Sequence, residues 1–522
     1  MAFAPVLTAA EMRAADAAAT RELGLPSALL MENAGRGLAE IVRRELGAVG
    51  APAVIVCGGG SNGGDGLVAA RHLARLDVAV RILLAAPRAK FQGDAAVALA
   101  AVERMGLSVE DGSGWTDEAT WAAHLTGAGA VVDALFGIGV RGAIEGVPAV
   151  ALAAMNAASG RKIAADLPSG LDADTGRAAG IVFQADVTAT MGAWKLGLAI
   201  DAAGPAGRVE VVDLGAPIPI GGAAAACQLL DAAGIAARLP RRAVDAHKGS
   251  SGHLVVVAGS AGKTGAAFLV GQAGLRGGAG LVTIASTATG QVALDNKAIE
   301  LMTARYTDGD DADPEPSAAA LEGLAARAQA LAVGPGIPTG PGMRAVVHRL
   351  ASRLDRPMVI DADALNALGT EAARLLAAAP APRVLTPHPG EMGRLLGMSI
   401  ADVQRDRLGN ARGLATASRA AVVLKGARTI VAAPDGRIFI NPIACASLAT
   451  AGSGDVLSGL IGALLARGLD ALTAAQVGVF VHGAAGEELA PRLGDGVTAG
   501  DLPPAIAAVM ARLAAAPRAP RS

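Results

Sequence analysis

The run Thr450-Ala451-Gly452-Ser453-Gly454-Asp455 is followed by apolar residues at helical spacing: Val456, Leu457, Leu460, Ile461 and Leu464. The small residues predict a tight turn. The helix after it would present free backbone N–H groups and the positive end of its dipole, which suits a phosphate. Asp455 stands where that helix begins and has two readings, a base beside phosphates or an N-cap acid. A second glycine-rich stretch, Gly58 to Gly66, follows the short strand Ala53–Cys57. Its Gly58, Gly60 and Gly63 match G-x-G-x-x-G, a weak dinucleotide fingerprint when it stands alone. The acid that a NAD site wants about 20 residues further on is missing from Val80–Arg88, which disfavours an ordinary NAD-dependent dehydrogenase. Asn62 and Asp65 exceed what a phosphate cradle needs. An amide there could serve a cation or a nicotinamide-like group; the plain alternative is a polar turn with an Asp cap.

Two more strand ends carry acids. Val131-Val132-Asp133 leads into Gly137, Gly139 and Gly142, and Ile163-Ala164-Ala165-Asp166 leads into Leu167-Pro168-Ser169-Gly170. Ligands of parallel sheets sit at the carboxyl ends of strands, near a switch in strand order. Asn62, Asp133, Asp166 and Ser169 are therefore expected to converge on one crevice. Hard oxygen donors of low total charge suit an alkali cation better than zinc.

These residues need elements to hold them. Helices are expected over 8–20 and 27–46, then the strand at 53–57 and a helix from Leu67 to Leu76, the opening βα unit of a doubly wound sheet. The segment Met191–Leu198 is expected to close that sheet, with Lys195 more simply an exposed loop lysine than a phosphate ligand. Strand Arg208–Val212 follows, and the low-complexity Gly221–Ala226 marks a domain boundary. Beyond it, β-then-α patterns repeat at 254–258, 280–285, 330–333, 357–360, 383–385 and 421–424, predicting a second such sheet. The acidic run Asp308–Glu315 reads as a solvated loop. Gly262-Lys263-Thr264 is no P-loop, because Val257 occupies the place of the required glycine.

Composition agrees. A chain of 522 residues predicts more than one domain. With 52% hydrophobic but only 2% aromatic residues, the cores must be aliphatic. A net charge of −2 offers no basic footprint for nucleic acid. No apolar run is long enough for a membrane span and no basic leader opens the chain. Cys57, Cys227 and Cys445 are too scattered for a disulfide framework or zinc site and read as small buried hydrophobes. A cytoplasmic setting is expected.

The motifs NGGDG after a strand, VDALFGIG and DLPSGLD resemble the NAD(P)H-hydrate epimerase domain over about residues 8–217. The resemblance implies a Rossmann-like domain that interconverts the R and S epimers at C6 of hydrated NADH and NADPH. It implies potassium at Asn62, Asp133 and Ser169. It places substrate against Ser61, Asn62, Gly63, Gly64 and Asp65, against Gly137, Ile138, Gly139, Val140, Arg141, Gly142 and Ala143, and at Asp166, the candidate catalytic residue. Ser61 departs from the Asn usual in the family, which weakens one substrate contact and spares the potassium ligand.

Gly334-Pro335-Gly336, Asp361-Ala362-Asp363, His388-Pro389-Gly390-Glu391, Lys425-Gly426 and Gly452–Asp455 resemble the ribokinase-like fold. More narrowly, they are similar to the ADP/ATP-dependent NAD(P)H-hydrate dehydratases over about 240–510. The resemblance implies ADP at Lys425, Gly426, Ala427, Arg428, Thr429 and Gly454, with magnesium on its phosphates. It implies hydrated substrate at Ala266, Gly336, His388 and Asp455, with Asp455 catalytic. Ala451 replaces a glycine of the usual pattern without touching Gly452–Asp455. His388 is expected to orient the ring rather than act as a base. Asp361 and Asp363 lie near the metal or cap the next helix, capping being the simpler reading.

Together the motifs resemble the bifunctional NAD(P)H-hydrate repair family: α/β, two doubly wound three-layer domains, 1–222 Rossmann-like and 228–522 ribokinase-like, in an expected homo-oligomer. Two rivals stand beside that expectation. One is a ribokinase-like small-molecule kinase fused to a nucleotide-binding domain, which would accumulate a stable phosphorylated product. The other is a non-enzymatic nucleotide sensor, in which changing Asp166 alters binding but no rate.

Overall fold

The computed structural model describes residues 3–46, 50–139, 142–200, 204–218, 225–306 and 313–515. The chain separates into two compact units, Ala4–Ala225 and Ala226–Ser522, the second also taking in the first three residues. The expected substrate residues Val140 and Arg141, most of the expected boundary (221–224) and most of the acidic run (307–312) lie outside the described residues.

In the first unit, seven strands form one sheet: β1 (Ala53–Cys57), β2 (Val80–Leu84), β3 (Ser108–Asp111), β4 (Ala130–Ala134), β5 (Arg161–Ala165), β6 (Val187–Met191) and β7 (Arg208–Val212). The order is β3-β2-β1-β4-β5-β6-β7, all parallel. The order reverses between β1 and β4, and ligands bind at such a reversal. Alternation along β1 sends Ala53, Ile55 and Cys57 to one face and Val54 and Val56 to the other. The first face packs on helices α1 (Ser27–Glu45) and α2 (Ser61–Arg75), the second on Trp121, Leu152 and Met155. The sheet ends at β7. Trp194–Lys195, expected to close it, instead pairs in parallel with Ala4–Leu7.

Helix α2 begins at Ser61, six residues before the expected Leu67. Asn62, Gly63, Gly64 and Asp65 therefore lie in its first turns and not in a loop. Glycine disfavours helix by about 1 kcal/mol, but close packing overrides that here. A Cβ at Gly64 would stand 2.6 Å from Met31 Cε, and one at Gly66 2.6 Å from Ala134 Cβ.

The second unit holds β8 (Cys227–Leu229), β9 (His253–Val257), β10 (Leu281–Ser286), β11 (Met302–Arg305), β12 (Ala330–Val333), β13 (Met358–Ile360), β14 (Arg383–Leu385), β15 (Ala421–Leu424), β16 (Ile430–Ala432) and β17 (Ile438–Ile440). Their order is β11-β10-β9-β12-β13-β14-β15-β16-β17-β8. Only β16 runs antiparallel to its neighbours among the described strands. The order reverses between β9 and β12. Helices α3 (Thr264–Arg276), α4 (Pro389–Leu396), α5 (Ser453–Ala466) and α6 (Ala471–Leu493) include the site-bearing ones. Every residue of α5 from Val456 to Ala466 is buried, as expected of a helix apolar all round. Phe3 belongs to this unit's core: its ring meets Phe439 edge-on at 5.9 Å and lies 4.1 Å from the Arg238 guanidinium carbon.

Three smaller expectations need correction. Glu315 opens a helix and pairs with Arg349 at 2.6 Å, so the acidic run is not loop to its end. Only Cys57 is buried; Cys227 and Cys445 are half-buried, and all three are free thiols. Strands β8, β11, β16 and β17 had no counterpart in the sequence reading. Among the described residues no helix is long and apolar enough to cross a membrane.

Candidate active sites

In the first unit the chain ends of β1, β4 and β5 meet. Asp133 is the fourth residue of β4 and fully buried. Its Oδ2 accepts from the Ser169 N–H (2.7 Å), and its Oδ1 accepts from Ser169 Oγ (2.7 Å) and the Leu135 N–H (3.1 Å). Burial raises its pKa to about 6 against those hydrogen bonds. Ser169 Oγ in turn accepts from the Phe136 N–H at 3.0 Å, so Asp133 and Ser169 form one knot.

Beside the knot lies Asn62, buried, with neither amide oxygen nor amide nitrogen bonded to any protein group. A buried amide left unpaired costs about 1–3 kcal/mol, so this one is built for a ligand. Gly137 connects the parts. A Cβ there would stand 2.8 Å from Asp166 Oδ2 and 3.5 Å from Asn62 Oδ1, so only glycine lets the loop pass that close to both.

Asp166 sits just past β5 with φ +66°, a backbone state that costs a non-glycine residue about 1–3 kcal/mol. Its N–H donates to the Ala189 carbonyl at 2.8 Å. Its Oδ1 accepts from the Met191 N–H (3.2 Å) and from Lys195 Nζ. Lys195 is therefore no exposed loop lysine: it is 1% exposed and lies in the crevice floor. Its ammonium also donates to Thr190 Oγ1 (3.0 Å) and the Met191 carbonyl (2.6 Å). Burial first, then Asp166, pushes half-buried Asp65 well above the usual carboxylate range, with Lys195 pulling the other way. Asp16 is raised by burial too, with Lys195 opposing and Asp166 adding to the rise.

The remaining expected residues spread outward. Ser61 is exposed at the start of α2. The Ile138 carbonyl accepts from Arg13 at 3.3 Å. Gly142 lines a neighbouring cavity of about 310 Å³ with Gly170, Asp172, Thr175 and Arg177. Ala143 is exposed and packs toward Gly180.

In the second unit the ends of β12 to β15 meet the start of α5. Gly452, with φ +86°, precedes the helix; a Cβ there would stand 2.6 Å from Leu269 Cδ1. Asp455 lies in the first turn but does not cap it. Its pKa is pushed up to about 7 by burial, then by Asp361, against the pull of Lys425, with Glu391 and Asp363 adding to the rise. A carboxyl poised near neutrality is what a general base at ordinary pH requires.

Lys425, at the end of β15, donates to Asp361 Oδ1 at 2.8 Å and lies 3.7 Å from Glu391 Oε2. Burial opposes its charge, but Asp361 and Glu391 win and raise its pKa. A Cβ on Gly454 would approach Lys425 Nζ to 3.2 Å, so the lysine faces the helix N-terminus. Asp361 stands at the N-cap position of the next helix, yet its side chain makes no cap bond. The capping reading fails for it: the second oxygen accepts from Ser458 Oγ at 2.6 Å. Asp363 pairs with Lys263 at 3.1 Å.

His388 caps α4. Its Nδ1 accepts from the Gly390 N–H (3.0 Å) and Glu391 N–H (3.4 Å), while Glu391 Oε2 accepts from the His388 N–H (2.8 Å). With Nδ1 engaged, Nε2 lies 3.5 Å from Glu391 Oε1, on a half-exposed side chain. Gly336 faces α3; a Cβ on it would lie 3.6 Å from Ala266 Cβ. The loop Lys425, Gly426, Ala427, Arg428, Thr429 is held by Arg407, which donates to the Ala427 (2.9 Å) and Arg428 (3.3 Å) carbonyls, and by Thr429 Oγ1 on the Gly426 carbonyl (2.8 Å).

Sequence reasoning missed Lys195, Thr190, Ser458 and His482. His482, inside α6, bonds Ser453 through Nε2, to its carbonyl at 3.0 Å and its hydroxyl at 3.2 Å. For His482 the available signal was its place as the polar residue that follows the apolar Val479-Phe480-Val481.

The arrangement agrees with what related chains are. A family model described as NAD(P)H-hydrate dehydratase matches residues 254–507, and one described as YjeF-related protein N-terminus matches residues 27–197. The bifunctional NAD(P)H-hydrate repair enzyme Nnr of Moorella thermoacetica is 43% identical over 516 residues, 95% of each chain. That of Salinibacter ruber is 40% identical over 500 residues, 92% of each chain. Among solved structures, the ADP/ATP-dependent NAD(P)H-hydrate dehydratase of Bacillus subtilis, co-crystallised with ATP and Mg2+, is 30% identical; 54% of this chain matches 97% of it, with a TM-score of 0.48. With 43% and 40% identity to those two repair enzymes over more than nine-tenths of its length, the chain belongs to the bifunctional NAD(P)H-hydrate repair enzymes.

Proposed function

We propose that the first unit, 1–222, epimerises hydrated NADH and NADPH at C6 and that the second, 228–522, dehydrates the S epimer at the expense of ADP. The observation that carries this reading is Asp455: a carboxyl with pKa near 7 at a helix N-terminus, beside Lys425.

Hydroxide leaves carbon poorly and phosphate leaves well. Asp455 takes the C6 hydroxyl proton as that oxygen attacks the terminal phosphoryl of ADP, and AMP departs. Backbone N–H groups at the start of α5 and the Lys425 ammonium face the growing negative charge. Phosphate then leaves C6 as C5 loses its proton, restoring the ring double bond; the products are NADH or NADPH, AMP and phosphate. Magnesium, arriving on the phosphates, would neutralise part of their charge. His388 would meet the ring with the exposed half of its side chain.

In the first unit, Asp166 Oδ2 faces the crevice and accepts the C6 hydroxyl proton. The C6–ring nitrogen bond opens with its electron pair moving to nitrogen, and reclosure on the other face inverts C6. Asn62, Asp133 and Ser169 fit potassium, since the Asn62 amide is buried without a partner; bound there, it would supply a fixed positive charge for the nucleotide's oxygens.

The test is incubation of the protein with hydrated NADH and ADP. Repair predicts return of the reduced-nicotinamide absorbance with AMP and phosphate released together. A stable phosphorylated product would instead establish the kinase reading.

A further inference from the structure

We infer that Lys195 is a positioning residue of the epimerase crevice: it fixes one oxygen of Asp166 so that the other is presented to the substrate. The inference rests on the epimerase reading above and assigns that site a residue which its sequence motifs leave out.

The ammonium group has three protons, and all three are committed. They go to Asp166 Oδ1, Thr190 Oγ1 and the Met191 carbonyl, so the group cannot turn away. The Met191 N–H donates to the same Asp166 oxygen at 3.2 Å. Oδ1 is thus held from two sides by groups of one segment. Oδ2 points the other way, toward Gly137, the glycine that also abuts Asn62. A carboxylate so divided has one oxygen for structure and one for chemistry.

The backbone requires the same help. Asp166 stands at φ +66°, where an aspartate does not stay unless its surroundings hold it. A lysine at 1% exposure is also not retained for surface solubility. Removed from water, an ammonium persists only with acceptors around it, and its one charged partner here at bonding distance is Asp166. Two further carboxyls, Asp16 and Asp65, feel the same lysine. Its charge is thus set against three acids of the crevice.

The experiment measures R-to-S exchange on the full chain, above the spontaneous rate, for wild type, Lys195→Met, Asp166→Asn and the double variant. If Lys195 acts through Asp166, Lys195→Met lowers kcat about 100-fold with KM within about twofold, the size of a lost proton-transfer group. The double variant is then no slower than the slower single, because the second change removes an effect already gone. Losses that multiply in the double variant, or a rise in KM with kcat unchanged, overturn the inference. If Lys195→Met does not fold, Thr190→Val removes one acceptor and keeps the lysine; about a threefold or larger fall in kcat at constant KM supports the inference, and an unchanged kcat overturns it. Wild-type protein without exchange would overturn the epimerase reading and this inference with it, whereas wild-type exchange with a fully active Lys195→Met overturns the inference alone.

Discussion

Asp455 and Asn62 use burial in opposite ways. For Asp455, burial and the neighbouring Asp361, Glu391 and Asp363 raise the carboxyl to a pKa of about 7. The dehydration rate is therefore expected to climb with pH through about 7 as the base form grows. Asp455→Asn should lower kcat by about 100-fold or more and erase that rise; a variant with the wild-type pH profile would remove Asp455 from the base role. For Asn62, burial leaves two polar atoms without partners. Asn62→Leu should raise the stability of potassium-free protein, by about 1–3 kcal/mol, while abolishing any rise in melting temperature on adding potassium chloride. Equal potassium stabilisation in both proteins would place the cation elsewhere. Asp133 and Asp166 were legible because each ends a strand that runs into a glycine-containing loop, and Asn62 and Asp455 because each stands among glycines where a helix begins. Lys195 was not, since nothing local separates a buried lysine from an exposed one; Asp166 lies 29 positions away.

Helix α5 is tied to α6 at its first turn. Neutral His482 bonds the Ser453 carbonyl at the turn that precedes Asp455. Burial lowers its pKa from 6.5 to about 4, so between those values the unfolded chain binds a proton that the folded chain refuses. That contribution to stability is complete above about pH 6.5 and is lost as pH falls toward 4. His482→Gln, which cannot titrate, should show a shallower fall in melting temperature over that window; an identical fall would assign the acid sensitivity to other groups. Helix α5 was readable from the spacing of its apolar residues, and buried strands such as Ala53–Cys57 from their apolar runs. The start of α2 was not, because Gly63, Gly64 and Gly66 argue against helix locally. Their reason for being glycine is the atoms they pack against. The antiparallel β16 escaped notice too: its three residues, Ile430-Val431-Ala432, are too few to show a period.

Each unit has its own reversal in strand order and its own cores, and the crevices fall where those reversals lie. The chain between Ala225 and Ala226 divides the units. A break there should yield a first half that retains epimerisation, to be checked by separate assay of the purified halves on each epimer; loss of exchange in that half alone would mean the unit is not self-sufficient. The second half is a different matter. Phe3 sits between Phe439 and Arg238 in the core of the second unit. Replacing Phe3 with alanine should thus loosen the second unit, from a position that precedes the whole of the first unit in the sequence.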